Sequence, residues 1–244
     1  MMRTRAASLL IGWCIAGVVV LGAPGATAAP IIGHPHIPGR AGTSTNWSGY
    51  AAYGSSGSFT SVTSTWTQPS VTCGPAATYS AYWVGIDGYN SSSVEQLGTE
   101  ADCSSGSPTY YAWYEMYPHP GYYARSVTVV PGHSYTAKVT YAGAGSYNLS
   151  LVDNTSGAKF STKQKLASAK RASAEVIVEA PWSGGVLPLA NFGTASFAGS
   201  LANGLPVGGF SPLDPMTMLD PNGGTATPSA LSNGGQDFSV TYGA

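Results

Sequence analysis

Ala174-Glu175-Val176-Ile177-Val178-Glu179 is the stretch on which the fold turns. Successive side chains of a strand point to opposite faces. Val176 and Val178 then share a face that needs a core, and Glu175, Ile177 and Glu179 share the other. A strand with two carboxylates on one face either meets water there or floors a cleft in which a carboxylate does proton work. The same alternation in Tyr111, Trp113, Glu115 and Tyr117 gathers aromatic rings around a carboxylate. Apolar surroundings raise a carboxylate pKa by desolvation.

Similar short segments lie on both sides. Those at 58–68, 79–86, 110–116, 126–130, 134–141, 147–153, 190–197 and 238–242 are rich in β-branched and aromatic residues, with Gly and Pro between them. Strands at such spacing indicate an all-β sandwich or barrel. Residues 164–174 suit a short helix or a polar loop. Residues 200–236, rich in Gly, Pro, Leu and Asn, are expected as irregular loops wrapping the sandwich before 238–242 returns to a sheet. One domain is expected over 45–244, as a monomer.

The amino terminus is of another kind. Arg3 and Arg5 precede an apolar run from about Leu9 to Leu21, and Ala26-Thr27-Ala28 forms an A-x-A cleavage signature. Residues 1–28 are therefore expected to be a secretory signal peptide. The apolar run is shorter than the roughly 20 residues a membrane span needs. Residues 29–44, rich in Pro, Gly and His, read as a leader or short pro-segment. Removing 1–28 takes two of the ten Lys+Arg and none of the eleven Asp+Glu, which leaves a net charge of −3 with His neutral. That balance argues against a nucleic-acid partner, and no membrane contact is expected after cleavage. Charged residues make up 9% of the chain, so few ion pairs would break in acid. With Cys14 in the signal segment, Cys73 and Cys103 remain, either as a disulfide, which export favours, or as two free thiols.

Several chemistries lose ground on these residues. His34 and His36 fall in the leader, and His119 and His133 show no metal-ligand spacing, so no metal is expected. There is no G-x-S-x-G elbow, and Gly54-Ser55-Ser56-Gly57 reads as a turn. Carboxylate chemistry remains. Glu115 and Glu179 could serve a glycoside hydrolase, whose retaining form places its carboxyls about 5–5.5 Å apart. A secreted carbohydrate-binding sandwich without catalysis would also use aromatic and hydroxyl side chains.

Six fragments, in order, resemble the glutamic peptidases known as eqolisins: Asn46-Trp47-Ser48-Gly49-Tyr50, Trp83-Val84-Gly85-Ile86-Asp87-Gly88, Val94-Glu95-Gln96-Leu97-Gly98, Ala112-Trp113-Tyr114-Glu115-Met116-Tyr117-Pro118, the stretch ending at Glu179, and Asn191-Phe192-Gly193-Thr194-Ala195-Ser196-Phe197. The resemblance implies two packed antiparallel sheets of concanavalin-A-like or jelly-roll type, with the active site on a concave face. It implies a secreted acid endopeptidase acting on proteins or peptides without metal or organic cofactor. Glu179 would be the general base and acid, and Gln96 the oxyanion donor. Trp83, Asp87, Trp113 and Glu115 match residues that line the cleft or support the pair, and Glu100 stands where the family usually has Asp. Two departures bear on the pockets. Val176 replaces a familiar Trp, and Ala180-Pro181-Trp182 follows Glu179 where fungal members usually carry Asp-Phe-Glu. Two features need no functional role. Lys159, Lys163, Lys165, Lys170 and Arg171 read as a solvated loop, and Asn46, Asn90, Asn148 and Asn154 open N-x-S/T triplets that matter only if the exported chain is glycosylated.

Overall fold

The protein is described by a computed structural model over residues 32–36 and 42–244; the expected signal segment, 1–28, lies outside the described residues. The strands in chain order are β1 (Thr43–Ser44), β2 (Trp47–Tyr53), β3 (Ser61–Thr67), β4 (Thr78–Ile86), β5 (Val94–Ser104), β6 (Ser107–Tyr117), β7 (Tyr122–Tyr123) and β8 (Ser134–Tyr141). They continue as β9 (Ser146–Asp153), β10 (Lys159–Lys165), β11 (Ser173–Glu179), β12 (Thr194–Ala202), β13 (Leu205–Pro206), β14 (Leu213–Leu219), β15 (Thr225–Pro228) and β16 (Phe238–Gly243).

These strands form two sheets of a β-sandwich. One runs β14-β2-β11-β4-β5-β6-β7 and the other β10-β9-β8-β3-β12-β16-β15-β14. Strand β14 belongs to both: Leu213–Met216 pairs antiparallel with β2, and Met218–Leu219 pairs with β15. Period-two alternation divides the first sheet cleanly. Tyr82, Val84, Leu97, Ala112, Val176 and Val178 face the second sheet, where they join Trp66, Tyr135, Val139, Leu149 and Leu151 in one core. The Trp66 indole N–H donates to Thr99 Oγ1 across the gap at 2.9 Å. The outer side of the first sheet carries a second, smaller cluster of Trp47, Ala51, Ala81, Trp83, Val94, Trp113, Ile177 and Met216. The division of β11 expected from its alternation is thus observed, with both faces buried.

Cys73 and Cys103 are joined, which ties the segment before β4 to the end of β5. Closing a loop of that length stabilises by about 3–4 kcal/mol in the chain-entropy treatment. Gly98 sits in register between Trp83 and Trp113. A Cβ there would lie 2.1 Å from Tyr82 O and 2.6 Å from Trp83 Cβ. Gly98→Ala is therefore expected to lower stability by about 1–3 kcal/mol through overpacking, read as a lower urea midpoint at acid pH.

Three expectations are corrected. Residues 126–130 form no strand. Residues 164–174 form neither helix nor a single loop, because β10 runs to Lys165 and β11 starts at Ser173. Lys159, Lys163 and Lys165 occupy the exposed positions of β10, an edge strand, and lysines along an edge discourage pairing with a second chain. Residues 200–236 are not merely wrapping loops. Met216 packs in the outer cluster and Met218 in the core, because β14 passes from the first sheet to the second between them.

Candidate active site

Register across β2, β11, β4, β5 and β6 builds the outer face from three rows. Trp47, Glu179, Ala81, Glu100 and Tyr111 form one; Gly49, Ile177, Trp83, Gly98 and Trp113 form the next; Ala51, Glu175, Gly85, Gln96 and Glu115 form the third. Rows two residues apart are separated by roughly 7 Å. Glu179 and Gln96 therefore stand diagonally across a middle row whose two glycines keep the floor low.

Each of the two is held by its neighbours. Trp83 Nε1–H donates to Glu179 Oε2 at 2.8 Å, and Asn46 Nδ2 donates to Glu179 Oε1 at 3.1 Å. Gln96 Nε2 donates to Glu115 Oε2 at 2.9 Å. That bond fixes which end of the amide is the donor, so the second N–H of Gln96 points at the space above the sheet. Both side chains are fully buried.

The space is occupied. The backbone N–H of His34 donates to Glu115 Oε2 at 3.1 Å, and Gln96 Nε2 donates to the His34 carbonyl at 3.1 Å. The imidazole stacks on Trp113, with ring centroids 3.7 Å apart and planes 6° from parallel. Its Nδ1 lies 3.1 Å from Glu179 Oε2, and its Nε2 lies 3.6 Å from Glu100 Oε2.

Burial sets the protonation of this cluster. Desolvation raises Glu179 well above the ordinary carboxylate range, and the nearby Glu115 adds to it against the hydrogen bonds from Trp83 and Asn46. Desolvation also pushes Glu115 up to about 8, and it raises Glu100, where Asp102 adds to the effect. The His34 imidazole is lowered to about 3 by burial. The contacts of His34 with Glu179 and Glu100 are therefore hydrogen bonds and close approaches among neutral groups rather than ion pairs.

Of the residues picked out in the sequence, Glu179, Gln96, Trp83, Trp113, Glu115 and Glu100 converge on this space. Asp87 does not touch them. Its carboxylate accepts the backbone N–H groups of Lys170, Arg171 and Ala172, each at 2.7 Å, and so anchors the approach to β11. Two participants were missed. Asn46, treated as a sugar acceptor, is fully buried against Glu179, which withdraws it from that list; its signal was its place in the first quoted fragment. His34, set aside with the leader, has no local signal, because its partners lie 81 and 145 residues away. Chemically, an amide N–H and a carboxyl reach the same residue from two sides. That arrangement can polarise a carbonyl and manage the protons of a water beside it.

The chain is similar to known proteins over most of its length. The model of the Peptidase A4 family matches residues 45–242. Aspergillopepsin-2 of Aspergillus niger is 29% identical over 230 residues, covering 82% of this chain and 78% of its own. The solved structure of scytalido-glutamic peptidase with a peptide-based transition-state analogue superposes with a TM-score of 0.68 at 26% identity, over 82% of this chain and 98% of that one. SCP-B, an eqolisin in complex with the tripeptide Ala-Ile-His, superposes with a TM-score of 0.65 at 26% identity and the same coverage.

Proposed function

The chain belongs to the Peptidase A4 family of glutamic peptidases, which hydrolyse peptide bonds, and from that premise we propose that Glu179 and Gln96 are its catalytic pair in an exported endopeptidase working in acid. One observation carries this reading: Gln96 Nε2 and Glu179 Oε2 converge on a single residue, His34, one on its carbonyl and the other on its imidazole. Family membership sets aside the glycoside hydrolase and the non-catalytic sandwich.

The chemistry follows from the positions. A substrate strand lies over the three rows with its scissile carbonyl at the Gln96 N–H that the His34 carbonyl accepts from here. When substrate and water replace His34 over the pair, the burial that keeps Glu179 protonated is relieved, and its carboxylate then takes a proton from a water as the water oxygen bonds to the carbonyl carbon. The carbonyl oxygen becomes an oxyanion held by the Gln96 amide. Glu179 returns the proton to the leaving nitrogen, the C–N bond breaks, and acid and amine products separate. Glu115 acts as a positioning residue, because it holds the amide with its nitrogen forward. Trp83 and Asn46 do the same for Glu179. An amide does not titrate, so the donor survives in acid.

Trp113 offers a flat platform to a side chain beside the dyad, and a cavity of about 290 Å³ is bounded by Pro35, His36, Gly88, Val94, Tyr117 and Trp182. SCP-B holds a tripeptide that ends in His. Here the segment 32–36 lies over the outer face with the His34 imidazole on Trp113, which supports a peptide strand as the ligand of this face. Export belongs to the same reading, since the Cys73–Cys103 bridge suits an oxidising compartment.

Gln96→Ala is expected to lower kcat on a fluorogenic peptide by about 10²–10³ with the fold retained. Circular dichroism checks the fold. Full activity in that variant would remove Gln96 from the mechanism and sink the proposal.

A further inference from the structure

We infer that the outer face of the second sheet, on the side of the sandwich opposite Glu179 and Gln96, is a binding surface for an acidic polysaccharide whose carboxylates meet Lys138, Lys159, Lys163 and Lys165. This surface is independent of which residues form the catalytic pair.

The small net charge of the chain hides a separation of its charges. Every glutamate is buried, as are Asp87, Asp153 and Asp220, and Asp102, Asp214 and Asp237 are only partly exposed. Every lysine is exposed. Lys170 excepted, the lysines stand on one side of one sheet. Alternation sends Phe160, Leu149, Leu151 and Val139 inward from β10, β9 and β8, and the lysines outward. Edge protection accounts for those on β10. It does not account for Lys138, because β8 lies between β9 and β3. Register puts Ser161, Ser150, Lys138 and Thr63 in one row across four strands. Lys138 therefore stands two strands in from β10, at roughly 10 Å. Among the described residues no carboxylate forms an ion pair with any of these lysines.

The rest of the face decides the kind of polyanion. Apart from the lysines, the outward positions of β10, β9, β8 and β3 hold Ser, Thr and Asn, with Val152 the one apolar side chain among the described residues there. A lipid surface is held by apolar and aromatic side chains that enter it, and this face presents none that could. Single-stranded nucleic acid is held by aromatic platforms, which are also missing from these outward positions. A chain of uronic acids offers what the face lacks: spaced carboxylates for point-charge ammonium groups and hydroxyls for the Ser, Thr and Asn side chains. Because the face lies on the far side of the core from the dyad, a bound polymer leaves the peptide site open.

The test is calorimetric titration of the full chain with polygalacturonate at about pH 5, where uronate carboxyls are ionised. Binding should be present at low salt and fade as salt is added. A lysine facing an anionic surface contributes about fivefold in affinity. Lys138→Gln is therefore expected to bind about fivefold more weakly, and the variant with all four lysines changed to Gln at least about a hundredfold. Lys170→Gln removes the same charge from the bend that leads out of the sheet to β11, and should stay within about twofold of the parent. All three variants should keep kcat/KM on a small soluble peptide, which also shows that they fold. Should the fourfold variant fold poorly, the comparison of Lys138→Gln with Lys170→Gln decides by itself. Absence of binding, or equal loss in those two single variants, would overturn the inference. So would binding to vesicles of anionic lipid as tight as binding to the polymer.

Discussion

Replacing Glu179 with Gln is expected to lower kcat by about 10²–10⁴ at acid pH, the range contributed by a positioned general acid and base. The variant keeps the size of the side chain and loses the proton. Its amide oxygen can still accept from either Trp83 or Asn46, and the other donor then meets an NH₂ group. That mismatch costs on the order of 1–3 kcal/mol, small enough for the fold to persist. Rate and stability are therefore to be measured on the same samples: turnover of a peptide at acid pH and Tm at pH 4 and pH 7. A variant that turns over substrate within severalfold of the parent would exclude Glu179 from the chemistry.

The second large effect concerns the whole fold. Glu95 is pushed up to about 9 by burial, with Asp87 nearby adding to it. Glu115 rises to about 8 and Asp102 to about 6, each through burial, and Glu100, Glu175 and Glu179 are raised as well. The unfolded chain releases these protons near the ordinary carboxylate value while the folded chain retains them. A folded pKa above the unfolded one contributes stability that is complete below the unfolded pKa and disappears as pH rises towards the folded value. Stability should therefore be greatest in acid and fall from about pH 4.5 upward. Each proton retained only by the native state costs about 1.4 kcal/mol per pH unit. Two such protons between pH 5 and 7 amount to about 5–6 kcal/mol, comparable with the whole stability of an ordinary domain. Asp153 acts oppositely, at the acid edge. Desolvation raises it, but Ser156, His133 and Thr155 donate to its carboxylate and bring it down to about 2, so its contribution fades only below about pH 4. Urea unfolding from pH 3 to pH 7 checks the sign, and Glu95→Gln should flatten the slope. A midpoint that climbs towards neutrality would refute this account.

The sheet that carries the site was legible where alternation was strong. Val176 and Val178 against Glu175 and Glu179 fixed both faces of β11, and the aromatic alternation around Glu115 did the same for β6. The choice of Glu179 among three carboxylates, and of Gln96 at all, needed the family fragments, because a glutamine leaves no mark in charge or periodicity. Strand β14 escaped because Met216 and Met218 lie inside a Gly/Pro-rich stretch and pack against different clusters. His34 escaped for a different reason. A short segment without hydrophobic period docks through backbone groups that every residue possesses, so nothing in its composition announces the partner.

The three rows beneath the site have one more consequence. On a pleated sheet, a slip of one residue exchanges the two faces of a strand. In β5 that would place Leu97 where Gln96 stands, and in β6 Tyr114 where Glu115 stands, with the displaced polar groups driven into the core. A single-residue insertion or deletion within β4, β5, β6 or β11 thus destroys packing and chemistry in one step. The same change in the bends between strands does neither. Length variation among descendants of this gene should accumulate at those bends and spare the four strands, even at positions that never touch a substrate.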